Sequence, residues 1–284
     1  MSTQRPPGGN SPYRGPPARR SDAPRHEPAT EQPAAPRARP AGETRVFGLN
    51  ACLALFARRP QDVRKVWLLE SRVGALKSVL AWCVKNRLGY RVVEEEDLDK
   101  LTATQHHEGV CFDVLRRPPL TVSDLLAAAP AEPKASLLIL LDGVGNPHNV
   151  GAVLRSAANF GAQGLILPAE APSTLSGAAC RVAEGGAEVV PLAQAGRGED
   201  VLQTLRHAGY RIAATTPRDG LGLFAQPLPK RLVLIFGAEG EGMSEALIRA
   251  ADLRLTIPGS GEVESLNISA SAAVVFAEWW RGTH

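Results

Sequence analysis

Apolar residues recur along this chain in two rhythms, short continuous runs and stretches with helical spacing. Both begin only after residue 44. In the first part, Phe47–Phe56 has helical spacing, Lys65–Leu69 reads as a strand, and Ala75–Arg87 as a helix closed by Gly89. Tyr90–Val93 and Gly109–Val114 read as further strands, with a polar loop over Leu101–Gly109. Residues 116–135, opening Arg-Arg-Pro-Pro and closing Ala-Glu-Pro, predict a linker with a short helix at 123–129. From Ser136 onward strands are expected at 137–142, 164–167, 187–191, 210–215, 231–236 and 253–257. Helices are expected between them at 149–160, 173–182, 199–208, 244–250 and 265–281. Strands alternating with helices predict an α/β fold with a mostly parallel sheet covered on both faces, where ligands sit at the carboxyl ends of strands.

Composition sharpens this picture at the N-terminus. Residues 1–44 hold ten prolines, seven arginines and four carboxylates, with Met1 and Tyr13 their only large apolar side chains. Such a segment buries too little surface to offset its ordering entropy and is expected to be a disordered Arg/Pro-rich tail. Its surplus of three equals the formal net charge of +3 for all 284 residues, so residues 45–284 balance to neutral. The tail's arginines suit loose, salt-dependent attraction to RNA, or a solubilising extension with no partner. Four scattered cysteines (Cys52, Cys83, Cys111, Cys180) have no C-x-x-C pairing, which favours reduced, buried thiols over a metal site or a disulfide framework. With no membrane-length apolar run and no secretory signal, the expectation is a soluble cytoplasmic protein that needs no metal and no membrane.

Three segments at expected strand ends carry candidate chemistry. The first is Asn149–Gly161, where Asn146-Pro147 suits an N-cap followed by proline at the first helical position. Gly151, one turn before Arg155, is read as leaving open space beneath a guanidinium whose planar fork suits an anion; a plain surface arginine is the simpler alternative. The second is Gly237–Gly242, three glycines in six residues. It lacks the Lys-Ser/Thr of a phosphate-binding loop and fits a dinucleotide fingerprint poorly, leaving a backbone cradle or a bare turn. The third is Ile257–Asn267, a glycine loop running into a helix that Ser265 or Asn267 would open. His106 and His107 read as solvated loop histidines, while the pairs Arg58-Arg59 and Arg116-Arg117 are candidates for phosphate contact or a solvated face.

Together and in this order the three segments resemble the SpoU (TrmH) family of RNA ribose 2′-O-methyltransferases in the SPOUT superfamily. The pattern N-x-G-x-x-x-R-x-A-x-x-F-G is met by Asn149, Gly151, Arg155, Ala157, Phe160 and Gly161. G-x-E-G-x-G is met by Gly237, Glu239, Gly240 and Gly242, and I-P-x-x-G-x-V-x-S-L-N by Ile257, Pro258, Gly261, Val263, Ser265, Leu266 and Asn267. Two positions depart from the family pattern: Asn146 stands where many members have aspartate, and Gly259 where they usually have methionine. An asparagine still caps a helix, whereas a missing methionine beside the cofactor loosens its pocket.

The resemblance implies a catalytic domain at 136–284 with a deep trefoil knot, preceded by a small RNA substrate-binding domain at 45–115 akin to certain ribosomal proteins. It implies methyl transfer from S-adenosylmethionine to a ribose 2′-hydroxyl of rRNA or tRNA, in a homodimer with its site at the subunit interface. By the same resemblance, backbone at Gly237, Ile257 and Leu266 holds the cofactor, with Thr215 a further candidate. Arg155 is the implied catalytic residue, oriented with the ribose by Asn149, Glu239, Ser265 and Asn267. Family precedent makes it a base; a guanidinium that stays protonated fits the stabilisation of a developing alkoxide better. A catalytically inactive RNA-binding protein of the same fold is the competing reading. A nucleotide-dependent oxidoreductase lacks the G-x-G-x-x-G expected after its first strand.

Overall fold

Two sheets of different character organise the structure, a computed structural model that describes residues 42–198, 200–240 and 242–284. The expected tail lies outside the described residues except at its end, where Glu43 and Thr44 already belong to a strand. The smaller sheet is built from β1 (Glu43–Phe47), β2 (Val63–Leu68), β3 (Gly89–Val92) and β4 (Val110–Leu115). Their order is β1-β4-β2-β3, with β4 antiparallel to β1 and β2, and β3 parallel to β2 on an open edge. Helices α1 (Leu49–Arg58), α2 (Lys77–Lys85) and α3 (Glu95–Thr102) connect the strands. α1 starts two residues later than its apolar spacing suggests, because Phe47 ends β1 and Gly48 turns the chain at φ 95°. α3 is not foreseen: it buries only Leu98, and its run of carboxylates hides the apolar period.

The stretch read as a linker carries β5 (Leu120–Thr121) and α4 (Val122–Ala128), and both pack on the larger sheet. There follow β6 (Ser136–Asp142), α5 (Pro147–Asn159), β7 (Gly164–Leu167), α6 (Gly177–Val182), β8 (Leu192–Gln194) and α7 (Val201–His207). The chain closes with β9 (Arg211–Thr215), β10 (Leu221–Gly222), β11 (Arg231–Gly237), α8 (Glu245–Ala250), β12 (Leu253–Thr256) and α9 (Ile268–Thr283). The eight strands run β10-β12-β9-β11-β6-β7-β8-β5, and every pairing is parallel. Residues 187–191, expected as a strand, instead finish a 3-10 turn at Gly186–Glu188, and Pro191 precedes the true strand β8. The terminal helix begins at Ile268 and not at Ser265, and α6 begins at Gly177 and not at residue 173.

The continuous apolar runs follow from burial on two sides. In β6, Leu137, Ile139 and Leu141 join the core beneath α5, α6 and α9, while Leu138 and Leu140 join the one beneath α4, α7 and α8. β11 divides in the same way, Leu232, Leu234 and Phe236 to one side and Val233 and Ile235 to the other.

The smaller sheet docks on α6 and the 3-10 turn. A side chain at Gly177 would meet Phe47 at 2.4 Å, and one at Gly185 would meet Ala54 at 2.7 Å, so glycine permits both contacts. Arg59, expected as a phosphate contact, is buried and grips Glu188 through two 2.7 Å bonds, with further bonds to Asp62 and the Leu115 carbonyl. Burial opposes its charge, but the Glu188 and Asp62 carboxylates outweigh that and raise its pKa. Arg117 likewise binds Asp62, at 2.7 Å. His107 is no solvated histidine: it is buried, its Nδ1 accepts from the Gly109 amide at 3.0 Å, and Nε2 lies 3.1 Å from Asp99. The acceptor role of Nδ1 leaves the ring proton on Nε2, which donates to Asp99.

Because Arg59 and Glu188 are desolvated together, Glu188→Gln is expected to destabilise the protein by about 3 kcal/mol, read from urea unfolding. A midpoint within error of the unsubstituted protein would mean the pair does not hold the two parts together. The four cysteines are buried, as expected. Burial, reinforced by Glu188, pushes the Cys180 thiol from 9.0 up to about 12. A raised thiol pKa supports the folded state fully below the unfolded value and withdraws that support as pH climbs toward the folded one. Unfolding midpoints are therefore expected to fall from about pH 9 upward, and to fall less steeply in Cys180→Ala.

Candidate active site

The carboxyl ends of the parallel strands define one rim of the larger sheet, and three polar residues meet there. Asn146 caps α5 by accepting from the His148 amide at 2.9 Å, with Pro147 at the first helical position, which sets Asn149 in the first turn, buried. Gly161 (φ +68°) ends the same helix. Beyond β11, Ala238 and Gly242 exchange backbone hydrogen bonds of 3.1 and 2.9 Å, and Glu239 stands on the tight turn between them. Gly237 has no room for a side chain, since a Cβ would lie 2.4 Å from the Met243 amide nitrogen.

Asn267 ties the segments together. Its Oδ1 caps α9 by accepting from the Ser269 amide at 2.9 Å. Its Nδ2 donates to Asn149 Oδ1 at 3.2 Å and to Glu239 Oε1 at 2.6 Å, and the Ile268 amide donates to the same Glu239 oxygen at 3.5 Å. One side chain thus serves α9, the first turn of α5 and the glycine turn after β11. Asp142, which the sequence reading passed over, braces that turn by accepting from the Ser244 amide at 2.9 Å. Its signal is a carboxylate ending an apolar strand, opposite Gly237 in the register of β6 and β11.

Thr215 ends β9 and donates to the Ile235 carbonyl at 2.8 Å. Ile257 follows β12 and is half-buried, while Leu266 and Val263 are exposed at 47% and 69%. With Gly237 these residues stand at or beyond the ends of the neighbouring strands β12, β9 and β11. Gly259 has nothing within 4 Å of where a Cβ would sit.

Arg155 is not brought to this cluster within one chain. It lies six positions beyond Asn149 on α5, about 120° around the helix at 3.6 residues per turn. It is exposed, with no hydrogen-bond or ion-pair partner among the described residues. Gly151 leaves no gap beneath it: a Cβ there would meet the Ala179 carbonyl at 2.5 Å and Val182 at 2.7 Å, so the glycine lets α6 pack closely on α5. Ser265 is exposed and caps nothing; that role falls to Asn267. A cavity of about 570 Å³, lined by Asp142, Pro168, Asp200 and Leu247 among others, shares Asp142 with this rim but contains none of the expected site residues.

Comparison with known proteins accounts for both parts of the chain. Residues 136–277 match the SpoU rRNA Methylase family, and residues 45–119 match the RNA 2′-O ribose methyltransferase substrate binding family. The chain belongs to the SpoU family and is an RNA methyltransferase of that class. It is 41% identical over 241 residues to an uncharacterized tRNA/rRNA methyltransferase, YfiF, of Escherichia coli O157:H7, covering 85% of this chain and 69% of that one. It is 32% identical to the 23S rRNA (guanosine-2′-O-)-methyltransferase RlmB of Pseudomonas putida, covering 82% and 94%. In fold it resembles the SpoU methyltransferase AviRb from Streptomyces viridochromogenes, solved with AdoMet (TM-score 0.68, 24% identity, 85% and 90% covered). An AdoMet-bound rRNA methyltransferase from Sinorhizobium meliloti is similarly alike (TM-score 0.67, 24% identity, 84% and 87% covered).

Asn267→Ala removes a helix cap and both bridging bonds. It is expected to destabilise the protein by about 1 kcal/mol, seen as a lower melting temperature, and to abolish methylation. Asn267→Asp keeps the cap but sets a carboxylate against Glu239, so it is expected to melt near the unsubstituted protein while remaining inactive. An active Asp variant would remove the carboxamide bridge from the mechanism.

Proposed function

We propose that this protein transfers a methyl group from S-adenosylmethionine to a ribose 2′-hydroxyl of rRNA or tRNA, as a cytoplasmic homodimer. The observation that carries this reading is the Asn149–Asn267–Glu239 network, assembled at one rim from three distant stretches of sequence. Residues 45–115 serve as the RNA substrate-binding domain and 136–284 as the catalytic domain. The resemblance's knot belongs to the same proposal; the placement of β9 between β11 and β12 supports it, because the chain must cross over β9 to reach β12. Four buried cysteines and an RNA substrate favour the cytoplasm, and no helix among the described residues is long and apolar enough to cross a membrane.

The rim fits the cofactor. The backbone of Gly237, Ile257 and Leu266 would hold its polar groups, and the exposed apolar side chains of Leu266 and Val263 offer cover for its adenine base. When bound, the cofactor supplies a methyl on a positively charged sulfonium, so the electrophile needs no metal. The chain's own task is to help the ribose hydroxyl. The Arg155 guanidinium donates to that oxygen and favours the alkoxide as the hydroxyl proton passes to water. Asn149, Glu239, Ser265 and Asn267 hold the ribose.

An exposed Arg155 with no hydrogen bond to the network in its own chain supports a site completed across a two-fold axis. One protomer then provides the arginine and its partner provides the network. Arg155→Ala is expected to cut methylation of bulk RNA by at least about 100-fold while leaving cofactor affinity nearly unchanged. Mixing the Arg155→Ala and Asn267→Ala proteins is expected to restore about a quarter of full activity, because half of the reassorted dimers hold one intact site. No recovery on mixing would place the arginine in its own protomer's site. Normal turnover by Arg155→Ala would overturn the assignment of Arg155.

A further inference from the structure

Between Arg64 and Arg91 the chain carries seven lysines and arginines against one carboxylate, Glu70. None of the seven forms an ion pair with another described residue. This contrasts with Arg45, Arg59, Arg117 and Arg181, whose carboxylate partners hold the smaller sheet together and dock it.

Topology gathers many of these charges at one place. β2 and β3 are parallel and in register from Lys65 and Gly89, so both start at the same end of the smaller sheet. α1 and α2, each running back to the strand that follows it, finish there as well, at Arg58 and Lys85. Arg58, Arg64, Lys85 and Arg87 are exposed at that end, and Arg91 is exposed further along β3, opposite Trp67. A helix C-terminus favours a cation on its own and would account for Arg58 and Lys85. It does not account for Arg64 or Arg91 on strands, nor for Arg87 held at φ 55° in the turn between α2 and β3. The acidic run Glu94–Asp97 follows the other end of β3, so the charge of this part is polarised along its strands. β3 is the open edge of the sheet, and Tyr90 is 45% exposed on it, a flat ring beside the cations.

The surface also leads toward the candidate catalytic arginine. Arg59, next to Arg58, grips Glu188 at one end of the 3-10 turn. Gly186, at its other end, packs so closely on α5 that a Cβ would lie 3.1 Å from the Arg155 Cα.

We propose that this end of the smaller sheet grips the phosphodiester backbone of the RNA substrate, with Tyr90 stacking an unpaired base, and feeds the strand past the 3-10 turn to Arg155. The inference rests on the reading of the protein as an RNA methyltransferase and deepens it. Regularly spaced phosphates match a row of unpaired cations, and an exposed aromatic ring among them matches a base and not a lipid headgroup.

The test measures how affinity for a fluorescent RNA stem–loop depends on salt, using the full chain. Lys85→Gln/Arg87→Gln/Arg91→Gln is expected to make the slope of log K against log salt shallower by about 2 to 3, and to weaken binding about 10- to 100-fold at low salt. Tyr90→Ala is expected to cost about tenfold at every salt concentration. Lys134→Gln/Lys230→Gln, exposed cations elsewhere, should leave the slope close to that of the unsubstituted protein. All the substituted positions are exposed, and unchanged melting curves would verify folding. An unchanged slope in the triple variant overturns the proposal. So does binding to phosphatidylserine vesicles that the triple variant loses while keeping its RNA affinity. If the triple variant loses RNA affinity but the unsubstituted protein methylates no RNA, the reading of the activity fails and this surface stands.

Discussion

Strand β11 is the constraint on which the rest of the molecule depends. It is paired along its whole length to β6 and over four residues to β9, and apolar cores cover it on both faces. A strand buried this way cannot slip by one residue without exchanging the side chains of two cores at once. Its end is therefore fixed, and with it Gly237 and the tight turn that carries Glu239. Parallel pairing adds a second consequence: every strand delivers its following loop to the same rim, so distant segments meet there without any affinity for one another.

The asparagine at the head of α9 uses that rim. Capping a helix requires an oxygen acceptor, which aspartate or serine would also supply. Bridging Asn149 and Glu239 requires a donor as well, and a carboxamide offers both from one group. The same side chain thus sets the start of the last helix and the spacing of the polar cluster. Arg155 stands apart from it, on a face of α5 that the cores do not claim.

The smaller sheet is docked by shape and charge. Glycines at 177 and 185 let Phe47 and Ala54 approach closely, and the Arg59–Glu188 pair is desolvated between the two parts. Charges left unpaired collect at the end of this sheet where two strands begin and two helices finish. Paired cations build the joint, and unpaired ones face outward.

The sequence by itself determined the larger fold and the identity of the cluster. Continuous apolar runs as short as 137–142 and 231–236 suit strands buried on both faces, and helices spaced between them imply parallel pairing. Asn149, Glu239 and Asn267 were legible because their three segments, each at a strand end or helix start, together resemble the SpoU pattern. Local pattern failed where long-range contacts decide. Val189 and Val190 favour a strand at 187–191, yet the packing of Gly186 on α5 accompanies a 3-10 turn there. Leu120–Thr121 is too short to read as a strand and exists because β8 offers an edge. Arg59 and His107 look solvated in sequence, and only folding supplies Glu188, Asp99 and the Gly109 amide as their partners. Gly151 is the clearest case: beside an arginine in sequence it implies a gap, but the backbone of α6, contributed from nearly 30 positions further along, fills the space. A sequence shows which groups a residue carries, and only the assembled chain shows which groups reach them.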